Sequence, residues 1–177
     1  MIKFLYKLLL TFNSTILIIV VYMIKEQIVF SIPLMSCEHI SYLIYLLISM
    51  LFSGICLWVS RFLSSEIITG GIKEIELANN SYLPSYLGYF FVALGVNDID
   101  TLIWTFLIIF LFTFDSKMLL FNPMFLLFGY KFYSVSMESG MKIFIITREH
   151  IKDIHTVKFD EIKRINDYTY IDRGNKG

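Results

Sequence analysis

L-L-L-T-F-N-S-T-I-L-I-I-V-V-Y-M-I, residues 8–24, holds no charged side chain and follows immediately on Lys7. A bilayer core about 30 Å thick takes about 20 mostly apolar helical residues, because backbone groups find no water there and must bond within the segment. The stretch therefore reads as a transmembrane helix. Lys3 and Lys7 ahead of an apolar run also resemble a secretory signal, but no small-residue cleavage site follows, so the sequence predicts a retained signal anchor.

Composition agrees with that reading. The 177 residues are 56% hydrophobic, 17% aromatic and 17% charged, whereas soluble domains carry about 25% charged residues. The charge is also uneven: of 15 Lys and Arg, only Lys3, Lys7, Lys25, Arg61 and Lys73 precede Lys117. Formal net charge is zero, and the mixed charges of the tail lack the dense basic face of a nucleic-acid binder, so no direct nucleic-acid partner is expected. Cys37 and Cys56 lie in one apolar region without disulfide or metal-ligand spacing.

Three further stretches meet the membrane criterion: residues 40–59, closed by Arg61; residues 78–96, with Pro84 in the first turns where a missing N–H matters least; and residues 99–120. The last is uncharged only over 101–114, so it must extend past Asp115 and Lys117, which then anchor at the interface. The expected fold is a four-transmembrane-helix bundle over residues 1–122, with helices at about 8–24, 40–59, 78–96 and 99–120. A small C-terminal β or α+β module over residues 123–177 follows it. The basic residues favour both termini inside, leaving only Lys25 outside, so the expected location is a bacterial inner membrane with both ends cytoplasmic.

Between the second and third helices, Ile72, Ile75 and Leu77 among Lys73, Glu74 and Glu76 suggest a short amphipathic surface segment. Gly70-Gly71 lacks both the Lys-Ser or Lys-Thr of a phosphate loop and the third glycine of a dinucleotide fingerprint, and reads as a turn. In the second helix Ser49, Ser53, Cys56 and Ser60 share one face; in the third, Ser85, Gly88 and Gly95 do, together with Ser81 and Val92. Small stripes let membrane helices approach closely, within a chain or between chains.

After Asn122-Pro123 the periodicity changes. Residues 131–137 alternate in strand fashion, Glu138-Ser139-Gly140 supplies a turn and residues 141–147 read as a second strand, the mark of a β-hairpin. Residues 149–165 fit helix or strand, and 168–171 read as a final strand. Asn122, Pro123, Gly129 and Tyr130 form the hinge coupling this tail to the fourth helix. No catalytic constellation stands out: Glu161-Ile162-Lys163 lacks a second acidic ligand, and His150 and His155 lack a third. No enzyme activity, cofactor or metal is expected.

Two patches carry a family resemblance: N-S-Y-L-P-S-Y-L-G-Y-F-F-V-A at 80–93 and F-N-P-M-F-L-L-F-G-Y-K-F-Y-S-V at 121–135. With the expected spans and β tail, they make the chain resemble the KwaA family, the membrane subunit of the bacterial Kiwa anti-phage system. The resemblance implies a membrane sensor or scaffold that forms a homo-oligomer in lipid, detects phage attack and works with a cytoplasmic, DNA-binding effector of the KwaB kind. It implies no catalytic residue. Two other classes stay open on the residues alone, a holin-like or lesion-forming protein and, less favoured, a small transporter, which would keep an ionisable or strongly polar site at mid-membrane where the sequence offers only Asn13 and hydroxyl side chains.

Overall fold

The computed structural model describes residues 2–29, 38–68, 71–79, 83–115, 122–151 and 162–172. Five α-helices lie in these segments: α1 (Ile2–Lys25), α2 (Glu38–Val59), α3 (Leu83–Gly95), α4 (Ile99–Asp115) and the single turn α5 (Met124–Leu127), with a 3-10 turn at Ser60–Phe62. Six strands accompany them: β1 (Ser65–Glu66), β2 (Ile72–Leu77), β3 (Lys131–Met137), β4 (Lys142–Thr147), β5 (Ile162–Arg164) and β6 (Thr169–Asp172).

The fold is not the expected four-helix membrane bundle. Among the described residues, only α1 and α2 are long and apolar enough to cross a membrane. With 13 residues α3 is about 20 Å long, and with 17 residues α4 is about 25 Å at 1.5 Å per residue; neither covers a core of about 30 Å. The extension of α4 past Asp115, to residue 120, lies outside the described residues. α1 is central, with α2, α3 and α4 each packed against it.

The third helix is shorter than expected because the sheet takes its first residues. The Ala78 amide donates to the Phe132 carbonyl at 2.7 Å, and Asn79 Oδ1 accepts the Phe132 amide at 2.9 Å. Backbone committed to β3 cannot also turn into a helix, so residues 78 and 79 lie outside α3, whose described part from Leu83 carries Pro84 where its missing N–H is harmless.

The sheet is likewise larger than a C-terminal module. Its order is β1-β5-β6-β4-β3-β2, so the loop between α2 and α3 supplies both edges. All neighbours are antiparallel except β4 and β6, which run parallel. The β3–β4 hairpin turns at Gly140, whose φ of +84° suits a residue without a Cβ.

Residues 72–77 form edge strand β2 rather than a surface helix. Ile72 and Ile75 are three apart, which mimics a helical face, but the β2–β3 register shifts between Ile72 and Glu74. That irregularity lets both isoleucines pack on the same side of the sheet.

Strand alternation divides the sheet between two cores. Phe132, Ile146 and Ile171 point toward the helices and join Tyr6 and Leu10 of α1, Cys56 and Leu57 of α2, and Phe125 of α5. Tyr133, Val135, Ile143 and Ile145 face the other way and pack with Ile162, Tyr170 and Ile75. The sheet thus sits at the end of the helices that holds the start of α1 and the end of α2. At the far end, Lys25 Nζ donates to the Val96 carbonyl and to Asn97 Oδ1, joining the end of α1 to the α3–α4 turn.

Candidate functional site

α1 buries four polar side chains around its middle: Thr11, Asn13, Ser14 and Thr15. Three bond back to their own helix. Thr11 Oγ1 donates to the Lys7 carbonyl at 2.9 Å, and Ser14 Oγ and Thr15 Oγ1 donate to the Thr11 carbonyl at 2.8 and 3.0 Å. Such bonds satisfy a hydroxyl inside an apolar layer without any partner helix.

Asn13 is different, because it reaches across helices. Its Oδ1 accepts a hydrogen bond from Ser53 Oγ of α2 at 2.9 Å, and its backbone carbonyl accepts from Asn122 Nδ2 at 3.1 Å. Asn122 Nδ2 also lies 3.3 Å from Ser53 Oγ, and its Oδ1 accepts the Met124 amide at 2.8 Å, which starts α5. All three side chains are fully buried. Among the described residues, Asn13 Nδ2 and Ser49 Oγ have no hydrogen-bond partner. Buried amides that lack partners are costly, so a half-satisfied network is sensitive to small shifts.

The cluster leads directly to the sheet. Phe125, one helical step beyond the Met124 contact, is fully buried and stacks on Phe132 of β3 with centroids 6.4 Å apart and planes 6° from parallel. The Tyr130 amide closes onto the Phe125 carbonyl at 3.0 Å, and the Arg148 guanidinium lies 4.7 Å from the centre of the Tyr130 ring. Between them Gly129 turns the chain with φ +78°. The two membrane-length helices therefore meet the sheet through one continuous set of contacts.

The residues singled out from sequence separate in three dimensions. Ser49, Ser53 and Cys56 of α2 and Ser60 of the following 3-10 turn are all fully buried, and Ser53 bridges to α1 and Asn122. Ser60 Oγ is satisfied locally by the Leu57 carbonyl at 2.6 Å. Gly88 and Gly95 of α3 face outward, with open space where a Cβ would stand; the Ser85 side chain lies outside the described residues, as do Ser81 and Cys37. Tyr86 and Ala93 of α3, and Val96 just beyond it, are buried. Asn122, Pro123, Gly129 and Tyr130 fall together at the turn into β3.

Asn13 was legible only as a polar group inside an apolar span; nothing in its spacing showed that Ser53 and Asn122 would converge on it. Among the described residues, no three His, Cys, Asp or Glu side chains group to hold a metal ion. Lys163 donates to Ser65 Oγ across the β1–β5 pair at 2.6 Å, while Glu161 and His155 lie outside the described residues.

These features define an α+β protein in which a strongly apolar helical layer is joined to a six-stranded mixed sheet by a buried amide and hydroxyl cluster. The model of the anti-phage protein KwaA matches residues 6–171, nearly the whole chain, and the chain belongs to that family. Its role is therefore in anti-phage defence. No curated protein and no solved structure matches it.

Proposed function

We propose that this KwaA-family chain is a non-catalytic sensor or scaffold of the bacterial inner membrane. In this reading α1 and α2 sit in the bilayer, the sheet lies on the cytoplasmic side, and the chain acts as a homo-oligomer that signals to a cytoplasmic effector. The observation that carries it is the Asn13–Ser53–Asn122 cluster, which ties both membrane-length helices to the connector leading into β3. A shift between α1 and α2 cannot leave Asn122, and hence Phe125 and the sheet, where they were.

Membrane placement is supported by the outer surface of the helices. Leu51, Phe91, Trp104 and Phe112 are 68, 70, 65 and 76% exposed, a density of bare apolar groups that water does not suit. The orientation is supported by Lys3, Lys7 and Arg61 at the sheet end, with Lys25 alone at the other.

The test is a phage challenge of cells carrying the chain with its neighbouring effector, comparing wild type with Asn122→Asp and Asn13→Leu. Loss of protection, with the variants still in the membrane fraction, is expected. Full protection by both variants would overturn the coupling role. A reporter active only in the periplasm that works when fused after Gly177 would overturn the orientation.

A further inference from the structure

On the outer face of α2, Leu47, Leu51, Gly54, Ile55 and Trp58 form the floor and walls of a groove of about 380 Å³, closed on one side by Phe128 from the connector that follows α5. The volume lies within the range of ligand clefts, roughly 300–1,000 Å³. Gly54 makes the groove: a Cβ there would stand 3.6 Å from Phe128 Cζ, and any longer side chain would fill the space. From Leu47 to Trp58 the groove follows α2 for about 16 Å at 1.5 Å per residue. The next residues on this face are Arg61 and Phe62 of the 3-10 turn, both exposed, with the Phe62 ring edge-on to Trp58 at 5.3 Å.

The geometry points to a bound phospholipid, its acyl chain lying in the groove and its phosphate on Arg61. This inference rests on the membrane placement proposed above. The groove is walled by mostly apolar side chains, and one turn beyond Trp58 along the chain comes the exposed Arg61, whose guanidinium has no ion-pair partner among the described residues. A neutral apolar slot followed one turn later by an exposed cation complements a lipid with a phosphate headgroup, and Arg is the side chain best shaped for phosphate. A helix from a second copy would leave that cation unused. Trp58 and Phe62 sit where aromatic rings mark the boundary between acyl chains and headgroups. Because Phe128 forms one wall, the lipid would touch the connector one residue before Gly129, and its presence or loss would be felt at the turn into β3.

The test starts from the full chain in carbonate-washed membranes, extracted in mild detergent and weighed by native mass spectrometry, with released lipids identified. One retained phospholipid per chain is expected. Gly54→Leu abolishes it, and Arg61→Gln, on an exposed turn where folding is not at stake, lowers it about tenfold. A chain that carbonate strips from the membrane fails the placement and takes this inference with it. An integral chain that retains no lipid, or retains as much in both variants, overturns the inference alone. So does a Leu51→Cys variant, with the native cysteines replaced by serine, that forms disulfide dimers in the membrane, since a second copy then covers the groove.

Discussion

Asn122 Nδ2 donates to the backbone carbonyl of Asn13 at 3.1 Å, joining residues 109 positions apart in the sequence. The same amide orders the first turn of α5 by accepting the Met124 N–H. Asn122→Ala should therefore cost about 1–3 kcal/mol, because it removes partners from fully buried polar groups. Asn122→Asp should cost more, since it keeps the shape but turns a donor into a buried charge facing a carbonyl oxygen. Thermal unfolding in detergent, followed by circular dichroism, measures both; equal stability of all three chains would show that the contact carries no weight.

Asn13→Leu should behave in the opposite way. Ser53 Oγ also donates to the Ser49 carbonyl at 3.0 Å, so it keeps a partner when the Asn13 amide is gone. The substitution also removes Asn13 Nδ2, which has no partner among the described residues. Replacing a half-satisfied buried amide by an apolar group of similar size is close to neutral or stabilising. The expected outcome is an unfolding midpoint at or above wild type together with lost protection against phage. A marked drop in stability would mean that the amide is structural.

The positions of the four main helices were legible because their apolar runs are long and their charges rare, but not the lengths of α3 and α4, which fall short of the expected spans among the described residues, and the sheet was only half legible. β3 alternates, and the Glu138-Ser139-Gly140 turn followed by the apolar run of β4 declares the hairpin. β2 does not declare itself, since its register shift spaces Ile72 and Ile75 like a helix turn. A non-local pairing partner, Tyr133 opposite Leu77, decides the matter, and no local pattern encodes it. Ser53 and Asn122 each stood out, one as a small packing residue and one as a hinge, but their meeting at Asn13 belongs to tertiary structure alone.

Asp98 caps α4. Its carboxylate accepts the Thr101 amide at 2.8 Å and the Thr101 hydroxyl at 2.8 Å, and these bonds hold its pKa below the usual carboxylate range. A carboxylate whose folded pKa is lowered adds stability that is complete above its unfolded value and is lost as pH falls through the folded one. Helix unfolding followed from about pH 6 to pH 2 should show this loss below the ordinary carboxylate range. Asp98→Asn, which caps without titrating, should remove that part of the pH dependence; an unchanged profile would assign it to other carboxylates.

Glu66 of β1 joins two elements, with Oε1 2.9 Å from Arg164 Nη1 of β5 and 3.7 Å from Lys3 Nζ of α1. The Glu66 bond is the main reason the Arg164 pKa is raised. All three groups are partly exposed, so Glu66→Gln should cost no more than about 1 kcal/mol. The cost should shrink as salt screens the pairs. Denaturation at low and high ionic strength checks this, and a large cost independent of salt would point to packing instead of charge.

Gly129 is the last hinge residue but one before β3, and its φ of +78° is a conformation that side-chain-bearing residues avoid. An added Cβ would meet nothing within 4 Å, so Gly129→Ala probes backbone strain with no steric contribution. The expected cost is roughly 1–2 kcal/mol. The strain can relax only by rotating Gly129 out of the left-handed region, which would pull Phe128 from Gly54 and Tyr130 from its bond to the Phe125 carbonyl. If the connector transmits between helices and sheet, Gly129→Ala should weaken protection against phage more than Gly140→Ala, which imposes a like strain at φ +84° in the β3–β4 turn, away from the connector. Equal loss of protection from the two variants would reduce the connector to a matter of stability.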